Sequence, residues 1–399
     1  MNNWKKCKLG DIAEVVGGGT PSTKVDEYWN GDIAWITPKD LTSYNKVFIS
    51  KGARSITELG LSQSSAKLMP KGTVLLTSRA PIGYVAIAEN EISTNQGFKS
   101  LIPKENLTTS RFLYYWLKNN VEYLKNFSVG TTFAEISGQI VKEIEITLPP
   151  LEEQRQIAAI LSSIDDKIEL LHEQNKTLEE LAQTLFVNWF KDKEFDSTIG
   201  DFISIQNGFA FKSKDFIDYG DNGVIKIKNI SNGIVDIVNT DKISQETTNE
   251  VNDKFKISSG DILFAMTGAE IGKMGIVPNT NKKLWLNQRV GMVKERFLGA
   301  RFLAYIHLTS EFGYDYIINS ATGSAQENIS VTDIENCPFV KLTSEEIVSY
   351  SKQLNDFFEK IISNLGEIQT LENMRDILIP KLLNGEIKIN NQRRRNGKK

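Results

Sequence analysis

The sequence predicts an α+β fold made by tandem duplication, in which a strand-rich domain followed by a long helix occurs twice. Three observations carry that reading. The stretch Leu151 to Trp189 has the pattern of one uninterrupted helix of about 39 residues, against about 11 or 12 in an ordinary globular helix. A second stretch with the same pattern lies 193 residues further on. Segments of the first 150 residues are also echoed, in order, after residue 190, and self-similarity at a long period has to be settled before any other assignment.

In chain order, "LGDIAEVVGGGTPS" at Leu9, an apolar strand running into a Gly-containing polar loop, is echoed by "IGDFISIQNGFAFKS" at Ile199. "MPKGTVLLTSRAPIGYVAI" at Met69 matches "ISSGDILFAMTGAEIGKMGIV" at Ile257, with Gly72 and Gly260, then Gly83 and Gly272, in step. "STNQGFKSLIP" at Ser93 pairs with "WLNQRVGMVKE" at Trp285, so Asn95-Gln96 and Asn287-Gln288 each precede a further strand. "RFLYYWL" at Arg111 and "RFLAYIHL" at Arg301 read as short amphipathic helices, followed by "VGTTFAEIS" at Val129 and "TGSAQENIS" at Thr322. Short β-rich segments broken by Gly, Asn, Asp and Pro make each half a compact domain with loops at its ends.

Between the halves, Pro149 and Pro150 stop a strand, and Glu152 and Glu153 suit a helix N-terminus. Ile157, Leu161, Ile164, Ile168, Leu171, Asn175, Leu178, Ala182, Leu185 and Trp189 then recur at alternating steps of four and three, a coiled-coil seam with one polar residue in it. The second copy reads Tyr350, Leu354, Phe357, Ile361, Asn364, Ile368, Leu371, Arg375, Leu378 and Leu382, again mostly apolar. At 1.5 Å per residue each helix would span roughly 60 Å, the length of a spacer rather than of a core helix. The boundaries follow: a first domain at 1–150, a helix at 151–190, a second domain at 191–343, a helix at 344–389 and a basic tail at 390–399. The tail, with Arg393, Arg394 and Arg395, reads as a frayed end or a nonspecific phosphate contact.

The whole chain carries −3, but by segment the balance is +3 for 1–150, −5 for 151–189, −3 for 190–343, −3 for 344–389 and +5 for 390–399. The helices are acidic, which would keep them off phosphate and leave the domains to meet it. The lysines at Lys5, Lys6 and Lys8 precede no apolar run, and no stretch reaches the ~18 apolar residues of a membrane span, so the expected location is the cytoplasm. Two distant cysteines, Cys7 and Cys337, exclude a disulfide framework and a thiolate metal site and read as inert.

Catalytic signatures fail in turn. Gly268-Ala-Glu-Ile-Gly272-Lys273-Met274 is one residue short of a phosphate loop and has Met where Ser or Thr must hold the metal. Gly17-Gly18-Gly19 lacks dinucleotide-site spacing and reads as a turn that lets backbone approach something. His172 and His307 assemble no triad or zinc cluster and read as surface or packing residues. What remains are loops in the vocabulary of base-edge and phosphate hydrogen bonding. The candidates are Thr20, Ser22, Lys24, Lys39, Ser78, Arg79, Gln96, Lys99 and Thr131 in the first half. Lys212, Lys226, Lys228, Asn229, Thr267, Gln288, Arg289, Ser324 and Gln326 are those of the second. Each lysine or arginine can equally be a solvated surface charge, and each glutamine can satisfy buried backbone.

"LPPLEEQRQIAAILSSIDDKIELL" after "GTTFAEIS", with the two-copy layout and "TSRAPIGYVAI…STNQGF", resembles the specificity subunits of type I restriction–modification enzymes over the whole chain. The second helix departs from the pattern, with "KLTSEEIVSY" in place of "LPPLEEQRQI". The resemblance implies two target-recognition domains, each reading one half of a split double-stranded DNA sequence. It also implies antiparallel helices that set the gap and dock two methyltransferase subunits, with restriction/translocase subunits joining the assembled complex. It implies no chemistry and no cofactor in this chain; S-adenosylmethionine, ATP and Mg would sit on partner subunits. With the helix ends flush, facing seam numbers sum to 539, which sets Asn175 opposite Asn364 in a seam of Ile157, Leu161, Ile168, Leu178, Leu354, Ile361, Leu371 and Leu378. A coiled-coil scaffold holding two protein-binding domains would share the architecture.

Overall fold

Short apolar runs, several of them buried along their whole length, are cut by glycine turns and give each half of the chain its strands. The computed structural model describes residues 3–42, 44–128, 134–321 and 328–389, which divide into two units: Met1–Glu169 with Leu371–Lys399, and Leu170–Thr370. In the first unit a five-stranded sheet has the order Ala13–Gly17, Lys99–Pro103, Val74–Ser78, Ile82–Ala88, Phe48–Ile49. Its neighbours are antiparallel except the last pair, which is parallel. A three-stranded sheet places Trp29–Ile36 antiparallel to Arg54–Ile56 and parallel to Ile92–Thr94. A ribbon pairs Lys5–Lys8 with Glu145–Leu148.

The second unit repeats this plan. Its larger sheet runs Ile203–Asn207, Val290–Glu295, Ile262–Ala265, Met274–Ile276, Gly233–Val235, Ile230–Ser231, and the fourth and fifth strands are again parallel. In the other sheet Asn222–Ile225 is antiparallel to Asp241–Ile243 and parallel to Lys283–Leu286. Ser197–Thr198 pairs with Pro338–Phe339 as the ribbon. The turn before the third strand is the same in both copies: Gly72 (φ +88°) and Gly260 (φ +78°) occupy the left-handed region that only glycine enters cheaply. Thr73 N–H donates to Pro70 O at 3.2 Å in one copy, and Asp261 N–H to Ser258 O at 3.2 Å in the other.

The long helices are Leu151–Phe190 and Ser344–Leu383, 40 residues each, and each contributes to both units. Within the first unit Ile157 and Leu161 share a core with Ile379, Leu382 and Leu383, and Asp165 accepts from Arg375 Nη1 at 2.9 Å. Within the second, Asn364 Nδ2 donates to Asn175 Oδ1 at 2.8 Å and the Trp189 and Tyr350 rings lie 4.7 Å apart. Numbers rise on one helix as they fall on the other, so the helices are antiparallel. Ile157, Leu161, Ile168, Asn175, Leu354, Ile361 and Asn364 are buried, while Leu178, Leu371 and Leu378 are half-buried. The buried stripe is wider than a two-position seam, because each helix also packs on its unit: Phe358 stacks on Phe302 with centroids 4.3 Å apart. Pro380, between seam positions Leu378 and Leu382, is accommodated in the last helical turn.

The helices at Arg111 and Arg301 depart from the amphipathic expectation. Ser110–Asn119 buries six consecutive residues, Phe112 to Leu117, because the sheet covers one side and the long helices the other. Tyr115 OH reaches Asp165 Oδ2 at 2.6 Å. Ala300–Thr309 is buried alike from Phe302 to Leu308. His307 on it is a packing residue among Phe186, Phe312 and Phe339, with Nε2 2.8 Å from Pro338 O. No described helix is long and apolar enough to cross a membrane.

Replacing Asn364 by Leu strands the Asn175 amide in the seam, at an expected cost of about 1–3 kcal/mol. Replacing both by Leu recovers most of that loss. Urea unfolding of the two variants checks the order; a double variant no more stable than the single one contradicts it. Burial lowers His307 from 6.5 to about 4, so the unfolded chain binds the extra proton first. Folding stability therefore falls by up to about 3 kcal/mol as pH drops from 6.5 towards 4. His307→Phe is expected to flatten the pH dependence of the unfolding midpoint in that window.

Candidate nucleic-acid interface

Four loops of the first unit follow the ends of Ala13–Gly17, Trp29–Ile36, Val74–Ser78 and Ile92–Thr94, and backbone hydrogen bonds tie them together. Gly19 N–H donates to Thr94 O at 2.9 Å, Asn95 N–H to Ile36 O at 2.9 Å and Ser78 N–H to Gly97 O at 2.7 Å. Ile136 N–H, from the segment leading to Gly138–Glu143, donates to Ser78 O at 3.1 Å. The second unit makes the same four bonds: Phe209 N–H to Leu286 O, Asn287 N–H to Ile225 O, Met266 N–H to Arg289 O and Ile329 N–H to Met266 O, at 2.8, 3.2, 3.2 and 3.1 Å. The loops therefore form one cluster in each unit.

The glycine-rich loop approaches its own neighbour. A Cβ on Gly18 would lie 2.0 Å from Asn95 O, and one on Gly208 would lie 2.2 Å from Asn287 O. The Asn of each Asn-Gln pair is structural: Asn95 Oδ1 accepts from Gly97 N–H at 2.9 Å and Asn287 Oδ1 from Arg289 N–H at 3.4 Å. The Gln that follows, Gln96 or Gln288, is exposed at the loop tip. Lys39 and Lys228 hold matching exposed places on short turns, closed by Asp40 accepting from Thr37 N–H and by Asn229 accepting from Lys226 N–H.

Thr20, Ser22, Lys24, Lys39, Gln96, Lys212, Gln288 and Arg289 are exposed on these loops, and Thr20 Oγ1 donates to Gln96 Oε1. Arg79, Lys99, Lys226 and Thr267 are partly buried there. Two expectations are corrected. Ser78 is fully buried and its Oγ donates to Gly97 O at 3.1 Å. Asn229 is 2% exposed, with Oδ1 on Lys226 N–H and Nδ2 donating to Asn239 O at 2.9 Å. Both small polar groups satisfy backbone inside the cluster. Thr131, Ser324, Gln326 and the arginines of the tail lie outside the described residues.

Carboxylates that the sequence reading missed hold the cations. Glu135 accepts from Arg79 Nη1 at 3.3 Å and from Lys99 Nζ at 3.1 Å. Asp241 pairs with both Lys226 and Lys228 at 2.6 Å, and although its burial works the other way, these two lysines hold its carboxyl below the usual range. Lys226 Nζ also sits 3.8 Å from the Phe216 ring centroid. No ion pair engages Arg289 among the described residues. The surface thus offers amides, hydroxyls and one fixed and one free guanidinium, which suit base edges, with lysines that suit phosphate.

Other chemistry is held back by burial. Desolvation pushes the Cys337 thiol up to about 12, and burial followed by the nearby Asp11 charge raises Cys7. His172 is exposed on the first long helix. Among the described residues no group of three or more His, Cys, Asp or Glu is arranged to hold a metal ion.

A family model described as the type I restriction modification DNA specificity domain matches residues 1–180 and 191–373. The chain is 37% identical to the type I restriction enzyme MjaIX specificity subunit of Methanocaldococcus jannaschii, over 97% of this chain and 94% of that one. It is 24% identical to the HindI specificity subunit of Haemophilus influenzae, over 97% and 100%. The crystal structure of a type I restriction–modification system S subunit from M. genitalium shares the fold, with a TM-score of 0.61 over 96% of each chain at 17% identity.

Gly18→Ala is expected to cost about 1–3 kcal/mol in urea unfolding, because backbone blocks the new methyl group. Gly17→Ala, with nothing within 4 Å of its Cβ, is expected to stay within about 0.5 kcal/mol of the parent. Equal effects at the two positions would contradict the close crossing.

Proposed function

The chain belongs to the type I restriction–modification DNA specificity family, and from that membership we propose that each unit reads one half of a bipartite double-stranded DNA target. One observation carries the assignment to the loops: the same four backbone bonds assemble the same loop cluster twice, each cluster presenting base-edge and phosphate donors. The long helices set the gap between the half-sites and dock two methyltransferase subunits. Leu170 and Leu181 support the docking role, being 52% and 48% exposed and eleven residues apart, hence on one helix face. S-adenosylmethionine, ATP and Mg belong to the partner subunits in this reading, and restriction/translocase subunits join through the assembled complex.

Arg79→Ala is expected to relax one half of the target and Arg289→Ala the other, each by about 1–3 kcal/mol where a bidentate base contact is lost. Methylation mapping in cells that express the chain with its methyltransferase subunits reads the result. A single substitution that alters both half-sites would overturn the assignment.

A further inference from the structure

We propose that Glu135 is a positioning residue for base recognition in the first unit, holding Arg79 so that its free edge meets a guanine. The inference rests on the DNA-reading function above and adds a base and a device to it. Glu135 divides its two oxygens, Oε2 to Arg79 Nη1 at 3.3 Å and Oε1 to Lys99 Nζ at 3.1 Å. Lys99 in turn lies 3.5 Å from both Ser78 Oγ and Gln96 O, and its side chain is only 16% exposed. A cation so enclosed anchors the loops and the carboxylate; it does not sweep the surface for phosphate.

Arg79 keeps Nη2 and Nε free of this pair, and two guanidinium N–H groups side by side match the O6 and N7 acceptors of guanine. A guanidinium already fixed loses less side-chain freedom on binding, so a matched base is favoured over a mismatched one. The single negative charge also lowers the attraction of this corner for phosphate, which is blind to sequence. The second unit lacks the whole set: Thr267, Gly291 and Asn328 occupy the places of Arg79, Lys99 and Glu135. The three side chains are thus present together or absent together, as parts of one device are.

The test uses the full chain assembled with its methyltransferase subunits, and duplexes in which each base pair of the first unit's half-site is varied. Fluorescence anisotropy is read at several salt concentrations. Glu135→Gln is expected to cut the preference for guanine at one position by about tenfold. It should also strengthen binding to nonspecific duplex and steepen the log–log salt dependence by about 0.9, one added phosphate contact. Glu135→Asp should restore part of the preference, and Glu135→Gln should change base preference no further in an Arg79→Ala background. Equal weakening on every duplex, an unchanged guanine preference, or a preference that Arg79→Ala leaves intact would each overturn the proposal while the DNA-reading function stands. A parent complex that binds all duplexes alike would overturn both.

Discussion

Two asparagine amides buried in a largely apolar helix seam constrain the rest of this protein. Asn364 donates to Asn175, but Asn175 Nδ2 and Asn364 Oδ1 are buried without a partner of their own among the described residues. A pair only half satisfied contributes little net stability; its value is that any other register costs more, since sliding by a heptad strands both amides at about 1–3 kcal/mol each. Register decides what each unit meets on the helices. In the first, Arg375 lies at a seam position and is neutralised by Asp165, which also accepts from the Tyr115 phenol. In the second, Phe358 must face Phe302 to stack. Removing one partner from a buried ion pair of the first kind typically costs about 3–5 kcal/mol.

The duplication separates a frame from its contents. The bonds that tie the loops run between backbone groups or use an asparagine that caps its own turn, so they place almost no demand on the outward side chains. Across the two copies Gly97 corresponds to Arg289, Thr20 to Ala210 and Arg79 to Thr267, while the strands beneath keep their order and direction. One fold can then carry two different sets of hydrogen-bonding groups, which two unlike half-sites require. Function depends on what the loops present, and folding on what they hide.

The features legible in the sequence were periodic or repeated. The four–three spacing marked the helices and the echoed segments marked matching strands, because period and repetition follow from backbone geometry; setting Asn175 against Asn364 needed in addition the flush antiparallel pairing that the family resemblance implies. Individual polar residues were less legible. Ser78 and Asn229 carry the same groups as an exposed base reader, and only burial shows that their partners are Gly97 O, Lys226 N–H and Asn239 O. The partner of Arg375 was not legible from the seam spacing, because Asp165 lies beside the seam position Ile164. Glu135 lies inside the echoed segment at Val129, but nothing in the segment marks its role: the acid acquires meaning only when folding brings Arg79 and Lys99 to it from positions far apart in sequence.

The central claim, that two loop clusters read two half-sites whose gap follows the helix pair, is tested most directly by inserting one heptad into each long helix at facing positions and mapping the methylated motif. Seven residues add about 10.5 Å, or about three base pairs at 3.4 Å each. The account predicts the same two half-sites with the gap widened by about three base pairs. An unchanged gap, or altered half-site sequences, would contradict it.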